Sequence, residues 1–295
     1  MKLSQDEEII ENALCQKLLS VKPLSGGCIN ECFVYKMDKG AFFVKLNKRE
    51  SLAMFEAEVQ GLDSLRATKT IRIPKTYCCG SLPEGGAYLI MEYIVPGKMK
   101  SWTQKRFGED LASLHLAEGA SRFGFVCDNT IGSTSQKNSW NTSWVDFFLL
   151  NRLQEQLDLA DKTNGDETLR DYGKKVLKIV PKLFEGISIK PSLIHGDLWS
   201  GNMLVDEEGR VAIVDPAAYY GHHEAEFGMM EMFGGGSLEF YEAYHQKIPK
   251  QEGFEERQLV YKLYHILNHL NLFGRGYYSS CLSIMKSLLG KESFL

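Results

Sequence analysis

The feature that most constrains this 295-residue chain is a change of periodicity at Val95-Pro96-Gly97. Before it, short runs rich in Val, Phe and Tyr alternate with turn residues; after it, apolar residues recur at helical spacing over long stretches. The expected architecture is α+β and two-lobed: a small β-rich lobe over residues 1–95, a Pro-Gly hinge, and a larger, mainly helical lobe over 96–295. A cleft at the hinge is then the default ligand site.

Within the first lobe, Ser4-x-x-Glu7 is a capping box that opens a short helix. Strands are expected over 21–27, 32–37 and 41–46, the last two joined by a turn at Asp38-Lys39-Gly40, and two more over 76–80 and 87–93. Between the third and fourth, residues 51–66 place Leu52, Phe55, Val59, Leu62 and Leu65 on one helical face. In the second lobe, helices are expected over 104–117, 144–159, 167–183, 238–246 and 255–273. A hairpin of 203–205 with 211–214 interrupts them.

Lys+Arg 34 against Asp+Glu 38 leaves a net charge of -4, so no bulk positive field recruits nucleic acid or anionic lipid. Phosphate binding, if present, must be local. The first 14 residues carry Asp6, Glu7, Glu8 and Glu11 and lack the apolar stretch of an export signal. No uncharged apolar run approaches the ~18 residues of a membrane span. Seven cysteines in a long chain read as reduced thiols, and a cytoplasmic protein is expected.

The strongest chemical signal flanks the hairpin: His195-Gly196-Asp197-Leu198-Trp199-Ser200-Gly201-Asn202, then Val211-Ala212-Ile213-Val214-Asp215-Pro216. An Asp, an Asn five residues on, and an Asp ending the next strand match the catalytic loop and metal-binding Asp of kinases. Phosphoryl transfer needs such groups. One carboxylate, Asp197, takes or orients the hydroxyl proton, while an amide and a second carboxylate, Asn202 and Asp215, supply oxygen ligands to Mg²⁺.

Partner motifs stand in the matching order. Ser25-Gly26-Gly27-Cys28 lies between the first two strands, where glycine amides can approach phosphate. Lys45 ends the third strand, the place of a lysine that pairs the ATP phosphates. Its carboxylate partner should lie on the next helix. At about 100° per residue, Glu58 projects roughly 50° from the centre of the apolar stripe and Glu56 roughly 110°, so Glu58 is the better partner. Met91, Glu92, Tyr93 and Ile94 run into the hinge, where main-chain groups can read an adenine edge. The kinase fold is therefore expected, but His-Gly-Asp replaces the His-Arg-Asp of protein kinases and no Ala-Pro-Glu follows. A small-molecule kinase fits better.

These strings, with Met54-Phe-Glu-Ala-Glu58, Leu114-His115, Asp128-Asn-Thr-Ile-Gly132, Gly221-His-His-Glu-Ala-Glu226 and Leu263-Tyr-His-Ile-Leu-Asn-His-Leu-Asn-Leu272, resemble the fructosamine-3-kinase (ketosamine-3-kinase) family. That family sits within the aminoglycoside-phosphotransferase-like kinases. One departure, Thr134-Ser135-Gln136 where the family pattern has Thr-Pro-Gln, is expected to lie far from the catalytic motifs. The resemblance implies ATP- and Mg²⁺-dependent phosphorylation of O3 of free or protein-bound ketosamines, which leads to deglycation. It further implies substrate contacts at Trp199, His222 and Glu224. It also implies a redox-sensitive Cys28 that can couple two chains. A kinase for aminoglycoside, choline or sugar alcohol, and a nucleotide-binding pseudokinase, stay open as alternatives. His265-x3-His269 is expected to serve helix packing or hydrogen bonding, and His195 and His115 to be structural.

Overall fold

The computed structural model describes residues 3–24, 30–49 and 52–290. After α1 (Gln5–Leu14), a five-stranded antiparallel sheet forms from β1 (Leu18–Leu24), β2 (Glu31–Met37), β3 (Gly40–Asn47), β4 (Thr76–Ser81) and β5 (Ala87–Glu92), in the order β1-β2-β3-β5-β4. Pro23 sits in β1 because that strand is an edge and can spare a ladder donor. The first strand begins three residues before its expected start, and its expected end, 25–27, lies outside the described residues.

Alternation along β3 decides the site. Phe42, Val44 and Leu46 join Ile90 and the Ile10 of α1 in a core on one face. Phe43 packs into the core on the other, with Phe55, Leu62 and Leu65 of α2 (Leu52–Ala67). With a side-chain period of two, Lys45 shares the α2 face.

The second lobe contains α3 (Thr103–Leu116), a small hairpin of β6 (Asn129–Ile131) and β7 (Thr134–Gln136), α4 (Trp144–Phe148), α5 (Glu155–Asn164) and α6 (Glu167–Ile179). Then come β8 (Ser192–Ile194), β9 (Met203–Val205), β10 (Val211–Ile213), β11 (Tyr219–Gly221), α7 (Phe227–Phe233), α8 (Leu238–Lys247), α9 (Phe254–Phe273) and α10 (Tyr278–Gly290). β9 pairs with β10 as expected, and β8 with β11. The helix expected over 144–159 carries a π-helical stretch, Leu149–Gln154, which turns Arg152 fully inward. That of 167–183 tightens to a 3-10 turn at Val180. Asp128-Asn-Thr-Ile-Gly132 becomes the β6–β7 hairpin, which the sequence reading did not assign to a strand, and α10 was likewise unassigned.

The residue that departs from the family pattern, Ser135, is exposed in β7, and its neighbour Gln136 is the one that reaches the chain past β10. Gln136 Nε2 donates to the Ala217 carbonyl at 3.2 Å, two residues beyond Asp215, and to Asn129 Oδ1 at 2.8 Å. Short polar strands fold back onto the chain just past β10.

Candidate active site

Lys45, 2% exposed, donates from Nζ to Glu58 Oε1 at 2.6 Å and to Asp215 Oδ1, which closes a three-membered charge cluster between β3, α2 and the end of β10. Burial pulls the lysine pKa down, but Asp215 and Glu58 together outweigh it and raise it, so the ammonium is fixed in its charged form. Burial raises Glu58 against the pull of Lys45. Asp215 adopts φ +58, a costly conformation for a non-glycine residue that turns its carboxylate back across the hairpin. At 46% exposed, that side chain retains a face toward the cleft.

Asp197 follows β8 on a loop tied from three sides. Glu226 Oε2 accepts the His195 N–H at 2.6 Å and its Oε1 accepts the Gly196 N–H at 2.9 Å. His195 accepts the Asp197 N–H on Nδ1 at 3.2 Å and meets the Val214 carbonyl through Nε2 at 2.7 Å, so one neutral ring links the loop to the strand that ends in Asp215. Gly196 is obligatory here: φ is +80, and a Cβ would lie 2.4 Å from the Ala217 carbonyl oxygen. Burial first, and then the charge of Asp215, push the Asp197 carboxyl well above its usual range. Asn202 spends its amide nitrogen on Asp197, at 2.8 Å to the carbonyl and 3.3 Å to Oδ2. Its Oδ1 is left as the acceptor.

These groups share one cavity of about 230 Å³ with Cys32, Asn30, Trp199 and the β6–β7 hairpin. Trp199 lies edge-on to Phe233 at 5.6 Å, and Gly201 makes room for it, since a Cβ there would sit 2.3 Å from the indole. The donor set fits a hard cation, since Asn202 Oδ1 and the half-exposed Asp215 carboxylate offer oxygen. That suits Mg²⁺, which keeps waters and phosphate oxygens in its shell.

Two expectations are corrected, the substrate contacts of His222 and Glu224 and the adenine contacts of Met91 and Glu92. His222 and Glu224 do not line the cleft: both are buried, His222 against the Tyr261 hydroxyl at 2.7 Å and Glu224 in a two-point ion pair with Arg257 at 2.7 and 2.8 Å. The ion pair consumes the carboxylate before a substrate could reach it. Met91 is paired on both sides in the sheet, and the Glu92 N–H donates to the Lys75 carbonyl at 2.8 Å while its carboxylate clamps Arg72. Tyr93 and Ile94, beyond the ladder, are the hinge positions outside the sheet. Gly26, Gly27 and Cys28 lie outside the described residues.

His195 and His115 are structural, as expected; His115 joins Tyr244 at 2.7 Å to Glu226 at 3.3 Å. Glu226 was not singled out from the sequence, although it closes the 221–226 string that was. His269 packs among rings and hydrogen-bonds the His265 carbonyl, as expected, and in addition lines the cleft.

A five-stranded sheet presenting a lysine–glutamate pair to a loop and a strand-end aspartate gives the two-lobed, protein-kinase-like α+β fold. The chain belongs to the fructosamine kinase family, whose model matches residues 4–291. It is 46% identical over 282 residues to a chloroplastic protein-ribulosamine 3-kinase of Oryza sativa subsp. indica, covering 95% of this chain and 82% of that one. It is 40% identical over 300 residues to a ketosamine-3-kinase of Mus musculus, covering 93% and 96%. A candidate fructosamine-3-kinase from Haemophilus somnus 129PT superposes with a TM-score of 0.87 at 27% identity, covering 97% of each chain. The chain is thus an enzyme of the kinase class. No helix among the described residues is long and apolar enough to cross a membrane.

Proposed function

We propose that this chain transfers the γ-phosphoryl group of ATP to O3 of ketosamines, the adducts of ketose sugars with amines, free or on proteins. The observation that carries the reading is the convergence of Asp197, Asn202, Asp215 and the Lys45–Glu58 pair on one cavity. Asp197 is the base: a carboxyl held high by burial sits within reach of a neutral hydroxyl and takes its proton as the new P–O bond forms. Lys45, rigid between two carboxylates, binds ATP phosphate oxygens. Asn202 and Asp215 would hold Mg²⁺, which when bound neutralises phosphate charge. Trp199 gives the C–H face of the sugar an apolar wall, and the main chain at Tyr93 and Ile94 takes the adenine edge. The boundary between residues 95 and 96, the cytoplasmic location and the redox coupling of two chains through Cys28 belong to the same proposal.

Asp197→Ala should lose at least ~100-fold in turnover while it keeps its melting temperature and nucleotide binding. Product NMR on a fructosamine should place the phosphate on O3. Native turnover in Asp197→Ala, or phosphate on another hydroxyl, would sink the reading.

A further inference from the structure

Besides Asp197 and the Lys45–Glu58–Asp215 cluster, the cavity lining holds the imidazole of His269, with Trp199, Leu272 and Phe273. A continuous belt of rings leads outward from it. Trp199 meets Phe233 edge-on at 5.6 Å, and Phe233 meets His269 at 5.0 Å and 32°. His269 in turn meets Phe273 at 5.4 Å and Tyr277 at 5.1 Å. Exposure rises along it: Phe233 is 36% exposed and Phe273 55%. The inner end adjoins the reacting site and the outer end opens to solvent.

The imidazole in this belt has a defined polarity. His269 Nδ1 lies 2.8 Å from the His265 carbonyl, an acceptor, so Nδ1 carries the proton and Nε2 the lone pair. Burial lowers its pKa, which keeps the ring neutral. A neutral ring among benzenoid faces attracts a cation and does not repel it.

Ketosamine chemistry completes the match. The hydroxyl brought to Asp197 is on C3, and the amine is on C1, two carbons away. Near neutral pH a secondary alkylamine is a cation, so the group next along the substrate is a positive charge with an alkyl or protein chain beyond it. We infer that the belt of Phe233, His269 and Phe273 is the subsite for the ketosamine's ammonium and its substituent, and that Phe273 and His269 are specificity-determining residues. The cation lies against ring faces, the His269 Nε2 lone pair accepts its N–H, and the open end at Phe273 lets a substituent of any length leave the cleft. The inference rests on the ketosamine reading above and says which part of the substrate the site selects.

The test uses the full-length enzyme with ATP and the fructosamine of a simple alkylamine. Phe273 is more than half exposed, so Phe273→Leu should fold as the native protein does while it removes the ring and keeps apolar bulk. Its KM for the fructosamine should rise about fivefold, the worth of a partly exposed cation–π contact, with kcat and the KM for ATP within about twofold. Phe273→Tyr should restore the native KM. A Phe273→Leu enzyme whose fructosamine KM stays within about twofold of native overturns the subsite. Failure of the native enzyme to turn over the fructosamine at all instead overturns the ketosamine reading on which the subsite depends.

Discussion

Lys45 shows how much of this site rests on single atoms. One buried ammonium serves two carboxylates from distant parts of the chain, and without it Glu58 would be an uncompensated buried acid. Lys45→Met should therefore cost ~3 kcal/mol in urea-induced unfolding and raise the KM for ATP at least ~10-fold; native stability in that variant would show that the cluster is not buried as described. His265 permits a test with the opposite charge logic. Burial, with His269 secondarily, lowers its pKa to about 3, and its Nδ1 has no hydrogen-bonding partner among the described residues. The unfolded chain takes up this proton near pH 6.5 and the native state only near 3, so between those values the unfolded state binds more protons. Stability is then fully present above about 6.5 and falls as pH drops, by up to ~1.4 kcal/mol per unit for each such group. His265→Phe should flatten the slope of unfolding free energy between pH 6 and 4 by about one proton; an unchanged slope would mean that the ring is not held neutral. Residues of this kind also mark what sequence reading can reach. Asp197, Asn202 and Asp215 were readable because the chemistry fixes their spacing within 19 residues. Glu226 and Arg257 were not assigned roles, because their partners lie 31 and 33 positions away and a buried ion is written like a solvated one.

Among the elements, those with strong periodicity came out within a residue or two of expectation: α3, expected over 104–117, is Thr103–Leu116, and α9, expected over 255–273, is Phe254–Phe273. The failures have physical causes. β6 and β7 are three residues each, largely polar, and exist because Asn129, Gln136 and Asn138 satisfy one another and the 217–218 backbone. No alternation announces such strands. The π stretch at Leu149–Gln154 leaves no compositional trace either, since a shift from i−4 to i−5 bonding is imposed from outside the helix. Its outcome is Arg152, which donates to the Lys137 carbonyl at 2.7 Å and Asn138 Oδ1 at 2.6 Å and lies 4.1 Å over the Tyr219 ring. One guanidinium thus pins the β6–β7 hairpin to β11. Arg152→Leu should destabilise the protein by ~3 kcal/mol in equilibrium unfolding, and hydrogen exchange should quicken most at 129–138. Uniformly native protection across that hairpin would assign the anchor elsewhere.

At the scale of the molecule, the lobes are joined by more than a covalent hinge. The Gly97 N–H donates to the Val205 carbonyl at 2.7 Å, Pro96 bridges to Asp206, and the Ile213 N–H donates to the Arg72 carbonyl at 3.1 Å. Arg72 also clamps Glu92 at the end of β5, and its Nε stands 4.0 Å from Asp206. The hinge therefore grips one end of the β9–β10 hairpin and the sheet lobe, through Arg72, the other, and that hairpin leads directly into Asp215. Lys45 belongs to one lobe and Asp215 to the other, so the distance that matters for phosphate binding depends on this grip. Gly97 is its narrowest point: a Cβ there would fall 2.0 Å from the Asp206 carbonyl oxygen, which backbone cannot yield without moving the hinge off the hairpin. Gly97→Ala should cost ~2 kcal/mol of stability. It should also reduce kcat at least ~10-fold, because an ångström of misplacement is expensive in a preorganised site. Both effects arise although residue 97 is absent from the lining of the catalytic cavity. The expected signature is a fall in kcat at saturating ATP, with the thermal transition lowered but still cooperative. If Gly97→Ala keeps native turnover, the lobes are positioned by the Lys45 cluster alone and the hairpin grip has no part in catalysis.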